Sequence, residues 1–130
     1  MRSGSPRVLV VDDSAVIREL ISVNLELEGF EVCTAEDGQD ALDRVEEIQP
    51  DLITLDVVMP RMDGFETVAR LRAQASTRDI PVVMVSAAAQ EADLDRGRAL
   101  GVNAYITKPF QPDLLVEVIR DLTGAGEPGD

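Results

Sequence analysis

Five short apolar runs, each followed by a stretch of helical periodicity, constrain this chain more than any other feature. Arg7–Val11 closes on Asp12 and Asp13, Asp51–Leu55 on Asp56, Ile80–Val85 on Ser86, and Ala104–Thr107 on Lys108. Phe30–Ala35 is a shorter run with polar alternation. Such runs are the wrong length for helices and rich in Val, Ile and Leu, as buried strands of a parallel sheet are. Pro81 is tolerable only near the beginning of its strand.

The segments between them repeat near 3.6 residues. Ser14 can cap a helix that carries Val16, Ile17, Leu20, Ile21, Val23, Leu25 and Leu27 before a stop at Gly29. Ala41, Leu42, Val45 and Ile48 mark a second helix, ended by Pro50. Phe65, Val68, Ala69 and Leu71 mark a third, after a loop in which Asp63 and Gly64 shape the turn. Gln90 to Leu100 reads as a weakly amphipathic fourth, which Gly97 weakens by about 1 kcal/mol relative to Ala. Pro112 suits a first turn, and Leu114, Leu115, Val118, Ile119 and Leu122 complete a fifth. Strand and helix in strict alternation, joined by right-handed crossovers, predict an α/β fold: an open five-stranded parallel sheet with helices on both faces. The length of 130 residues suits one domain and is too short for an eight-fold barrel. The expected domain is 7–122, between flexible ends at 1–6 and 123–130.

Composition removes several functions. There is no His and a single Cys, Cys33, so a disulfide, a His-dependent triad and a zinc site all lack their residues. The net charge of −13 would repel phosphate backbones, so direct nucleic-acid binding by this domain is not expected. No apolar run approaches the ~18 residues of a membrane span. Met1–Pro6 lacks the apolar stretch of a secretory signal, which makes the cytoplasm the expected location.

In a parallel sheet all C-terminal strand ends share one edge, where α/β proteins place their ligands. Asp12, Asp13, Asp56, Ser86 and Lys108 would then converge. Adjacent carboxylates repel, and one ammonium is too little counter-charge. A hard divalent cation such as Mg2+ would supply more, since it favours a few carboxylates together with a phosphate oxygen. A metal, a carboxylate nucleophile, a lysine and a hydroxyl are the parts needed for phosphoryl transfer.

These motifs resemble a two-component response-regulator receiver domain, of the flavodoxin-like fold, similar to the single-domain chemotaxis and sporulation regulators. The motifs are VLVVDDS at 8–14, DLITLDVVMP at 51–60, MDGFE at 62–66, PVVMVSA at 81–87 and KPF at 108–110. The resemblance runs from about Arg7 to Leu122 and implies a strand order of 2-1-3-4-5. It further implies that Asp56 accepts a phosphoryl group from a sensor histidine kinase or phosphotransfer protein. Asp13, Asp56 and the Val58 backbone carbonyl would bind Mg2+, with Asp12 assisting through water. Lys108 would pair with the phosphoryl group, while Ser86 and Tyr105 would form a switch. The Lys108–Pro109 peptide would be cis. The kinase would dock near Ala15, Val16, Pro109 and Phe110, and the fourth helix, fifth strand and fifth helix would face a downstream protein or a fused output domain.

Three departures qualify that picture. Val58 and Ala88 stand where the family places side chains that orient the attacking water, which predicts slow autodephosphorylation. Asn103-Ala104 replaces the acidic pair that many dimerising receivers carry, which weakens the case for a phosphorylation-dependent dimer over a monomer. No output domain follows within the sequence, so a stand-alone receiver and a fragment of a longer regulator are both open. A haloacid-dehalogenase-type hydrolase would require an acid at Val58, and a flavin-binding module would be repelled by Asp12 and Asp13.

Overall fold

The computed structural model describes residues 5–124. In chain order the elements are β1 (Arg7–Val11), α1 (Ala15–Leu27), β2 (Glu31–Ala35), α2 (Gly38–Ile48), β3 (Leu52–Leu55), α3 (Gly64–Ala73), β4 (Val82–Ser86), α4 (Glu91–Ala99), β5 (Ala104–Thr107) and α5 (Pro112–Thr123). All strand pairs are parallel, in the order β2-β1-β3-β4-β5. The register aligns Val11 with Leu55 and Leu55 with Met84, so β1 and β3 finish level while β4 and β5 run two residues further at the same edge.

Alternation along each strand divides the core in two. Leu9, Val11, Ile53, Leu55, Val82 and Met84 face one side, against Val45 of α2 and Phe65, Val68 and Leu71 of α3. Val8, Val10, Leu52, Val83 and Val85 face the other, against Ile21 and Leu25 of α1 and Leu115 and Ile119 of α5. A side chain of this kind contributes about 1.5–3 kcal/mol when fully removed from water. With both faces of β1, β3 and β4 covered, the central strands present to solvent only their ends. The residue that α4 buries is Gly97 alone, which makes it the least anchored helix.

The helix boundaries follow their local chemistry. Ser14 caps α1 by accepting from the Ile17 N–H, and Gly29 turns the chain at φ +94°. Asp37 and Asp63 cap α2 and α3 in the same way. Gln49 takes the left-handed conformation after α2, ahead of Pro50. Thr123, assigned to the tail from sequence, instead completes the last turn of α5, where its hydroxyl donates to the Ile119 carbonyl. Residues 1–4 and 125–130 of the two expected flexible ends lie outside the described residues.

Candidate functional site

At the C-terminal edge of the sheet, carboxylate oxygens of Asp12, Asp13 and Asp56 lie within 4.8 Å of one another. Asp12 and Asp56 are buried, whereas Asp13 is exposed. The topology forces this meeting, because β1 and β3 are neighbours in register and both run out at the same level. From β5, Lys108 reaches across. Its Nζ lies 2.9 Å from Asp12 Oδ2 and 3.0 Å from Asp56 Oδ2. The ammonium is thus shared by two acids that are 44 residues apart in sequence.

The backbone supports the same carboxylates. Ser14 N–H donates to Asp12 Oδ1 at 2.9 Å and Val58 N–H to Asp56 Oδ1 at 3.2 Å. Burial pushes the Asp12 carboxyl above its ordinary value; the Ser14 N–H and Lys108 oppose that, and the Asp56 charge adds to it. Burial acts to lower the Lys108 ammonium, but hydrogen bonds to Asp12 and Asp56 and their charges outweigh it, so its pKa is raised. The site therefore holds its lysine charged and leaves Asp12 under-compensated. Three close carboxylates with hard oxygen donors and one counter-charge suit a hard divalent cation.

Ser86 ends β4 fully buried, with Oγ accepting from Ala88 N–H at 3.2 Å. Tyr105 lies on β5, and its hydroxyl donates to the Ala88 carbonyl. Ala88 is thus held on both sides, by the serine through its N–H and by the tyrosine through its C=O. The Lys108–Pro109 peptide is cis, as expected. Val58 is 63% exposed, an apolar side chain at the rim of a charged site.

Three contributors were not apparent from sequence. Gly64 follows the turn and opens α3, as its sequence position suggests, and a Cβ there would in addition lie 2.3 Å from the Asp56 carbonyl oxygen. Its N–H donates to the Val57 carbonyl at 2.8 Å, which holds the loop after Asp56 against α3. Arg18, one turn into α1, donates to the Asp12 backbone carbonyl at 2.7 Å. Asn103, noted only for lacking a charge, accepts from Val82 N–H at 2.9 Å and so joins β5 to β4. The glycine within Met62–Glu66 was a usable signal for the first; the other two depend on long-range approach.

An open parallel sheet with an acid-rich strand edge and a bridging lysine defines a receiver-type phosphoacceptor fold. The response regulator receiver domain model matches residues 8–120, and the chain belongs to that family. It is 46% identical over 114 residues to the phosphate regulon transcriptional regulatory protein PhoB of Klebsiella pneumoniae, a match covering 88% of this chain and 50% of that protein. It is 41% identical over 117 residues to the DNA-binding dual master transcriptional regulator RpaA of Synechocystis sp., covering 90% and 48%. Among solved structures, the chemotaxis protein CheY4 of Vibrio cholerae is similar at TM-score 0.86 and 36% identity, covering 91% of this chain and 98% of that one. The chain spans about half the length of the curated relatives it matches. Among the described residues no helix is long and apolar enough to cross a membrane.

Proposed function

We propose that Asp56 is the phosphoacceptor of this receiver domain, and that Asp12, Asp13, Asp56 and the Val58 carbonyl hold Mg2+ beside it. The observation that carries the reading is Lys108 bridging Asp12 and Asp56 at 2.9 and 3.0 Å within the three-acid cluster. When bound, the cation supplies positive charge against the oxygens of the transferring phosphoryl group.

A carboxylate oxygen of Asp56 forms a bond to phosphorus as the phosphorus–nitrogen bond of a donor phosphohistidine breaks. Lys108 turns part of its hydrogen bonding from the carboxylates to a phosphoryl oxygen. Ser86 uses a lone pair on the Ala88 N–H, and its O–H is the group to donate to a second phosphoryl oxygen. Tyr105 follows Ala88 and carries the change to the face formed by α4, β5 and α5. The domain runs from Arg7 to the end of α5 at Thr123, and its catalysis is limited to its own phosphorylation and slow dephosphorylation. It acts in the cytoplasm, and its partners are a sensor histidine kinase or phosphotransfer protein and either a separate protein target or a linked output domain. The half-length match to transcriptional regulators favours the linked domain.

A small phosphodonor with Mg2+ adds one phosphoryl mass to the wild type and none to Asp56→Ala. An undiminished mass gain in Asp56→Ala would rule out this assignment.

A further inference from the structure

Gly97 stands in the middle of α4, where glycine is the weakest helix former after proline. The backbone does not ask for it, because Gly97 is not among the glycines with positive φ. The reason lies outside the helix. A Cβ at this position would lie 3.1 Å from Val102 Cγ2, and 3.3 and 3.4 Å from Cδ2 and Cε2 of Tyr105. Val102 stands nearest and the tyrosine ring crowds the same space, so a side chain there would make these neighbours give by a few tenths of an ångström.

That ring is fixed at its other end as well. Its hydroxyl donates to the Ala88 carbonyl, and the Ala88 N–H donates to Ser86 Oγ. Tyr105 therefore touches both the segment that leaves the Asp56 edge and the middle of α4. It also walls a cleft of about 230 Å3 between α4 and β5, together with Leu94, Arg98, Val102, Asn103 and Ala104.

We propose that Gly97 is a positioning residue: by lacking a side chain it seats the Tyr105 ring, and the seat couples the Asp56 edge to the α4–β5 cleft. With the seat open, the hydroxyl reaches Ala88 and the ring closes the cleft wall. With the seat filled, the ring moves outward, the bond to Ala88 breaks, and a change at Ser86 no longer reaches the cleft. The seating half stands on geometry alone; the coupling half rests on the phosphoacceptor reading of Asp56.

Tyr105 is the single tyrosine in a chain without tryptophan, so its absorbance and emission report on it directly. Burial, Asp93 on α4 and Asp56 at the strand edge all raise the phenol pKa, and Arg98 stands in the same cleft. None of these charges is altered by Gly97→Ala. The expected result is a phenol titration that falls toward the ordinary value of about 10, with greater quenching of tyrosine emission by acrylamide. Unchanged titration and quenching would overturn the proposal.

Thermal midpoints guard against a variant that merely folds poorly. In a Tyr105→Ala background the same Gly97→Ala change should raise the midpoint, because the seat is vacant and alanine favours the helix. If Val102→Ala gives that rescue and Tyr105→Ala does not, the position serves Val102 and the proposal fails. For the coupling half, a small phosphodonor with Mg2+ should change tyrosine emission in the wild type and leave it unchanged in Gly97→Ala, with the phosphoryl mass gained by both. Equal emission responses in both overturn the coupling. A wild type that gains no mass refutes the phosphoacceptor reading instead, and leaves the seating result to be judged on titration and quenching.

Discussion

Replacing Lys108 by methionine removes the charge and keeps most of the side-chain volume. The ammonium lies 2.9 Å from one carboxylate oxygen and 3.0 Å from another, and the three side chains are only 18%, 2% and 8% exposed. At an effective dielectric of roughly 20, each contact carries a Coulomb attraction of about 6 kcal/mol. The desolvation of the lysine, recovered in the variant, offsets much of this. Leaving buried charge without its partner typically costs about 3–5 kcal/mol, and we expect the metal-free variant to lose about 3 kcal/mol at neutral pH. The deficit has a pH signature. Without Lys108, burial and the Asp56 charge act on Asp12 unopposed except by the Ser14 N–H, so its raised pKa rises further. An acid raised in the folded state costs stability above its unfolded pKa of about 3.9 and costs nothing below it. The loss should therefore be greatest at neutral pH and shrink toward pH 4. Wild type itself should lose the lysine's contribution only as pH rises past about 10, since the folded pKa lies above the unfolded one. Urea unfolding with chelator and with Mg2+ tests the account. Cation binding should restore about 2.7 kcal/mol at a hundred times its dissociation constant. A loss below about 1 kcal/mol, or a loss that does not shrink toward pH 4, refutes the reasoning, because the two acids would then not depend on this charge.

Three further outcomes are expected. Val58→Asn places a hydrogen-bonding side chain at the exposed rim beside Asp56 and should speed phosphate release; rapid release from wild type that the substitution does not accelerate would sink the slow-decay reading. Gly64→Ala drives a Cβ to within 2.3 Å of the Asp56 carbonyl and should cost at least the roughly 1–3 kcal/mol of overpacking, with phosphorylation impaired at matched folded fraction. Asp37→Ala removes both the α2 cap, whose bond to Asp40 N–H chiefly lowers the Asp37 pKa, and the ion pair with Arg61. It should cost about 1 kcal/mol by urea midpoint at neutral pH. Because the folded pKa is depressed, that difference should disappear as pH falls below about 4.

Much of the site was legible because strand ends carry their chemistry in the sequence. Asp12, Asp13, Asp56, Ser86 and Lys108 each close an apolar run, and parallel topology brings run ends to one edge whatever the loop details. Other features depend on approach between segments that sequence does not order. Gly97 read as a defect in α4, and becomes intelligible only with the Tyr105 ring against it. Asn103 read as a missing charge, and is a backbone partner of Val82. α5 ends at Thr123 rather than Leu122 because the Thr123 hydroxyl satisfies a helix carbonyl, which composition cannot reveal.

By itself the sequence determined the α/β class, the alternation of five strands with five helices, and which residues reach the functional edge. These follow from periodicity and from where apolar runs stop, both local properties of the chain. Tertiary structure alone decided that one lysine serves two acids, that a glycine must stand against the Asp56 carbonyl, and that a tyrosine joins Ala88 to α4. Those are matters of tenths of an ångström between distant segments, and only the packed sheet and helices set them.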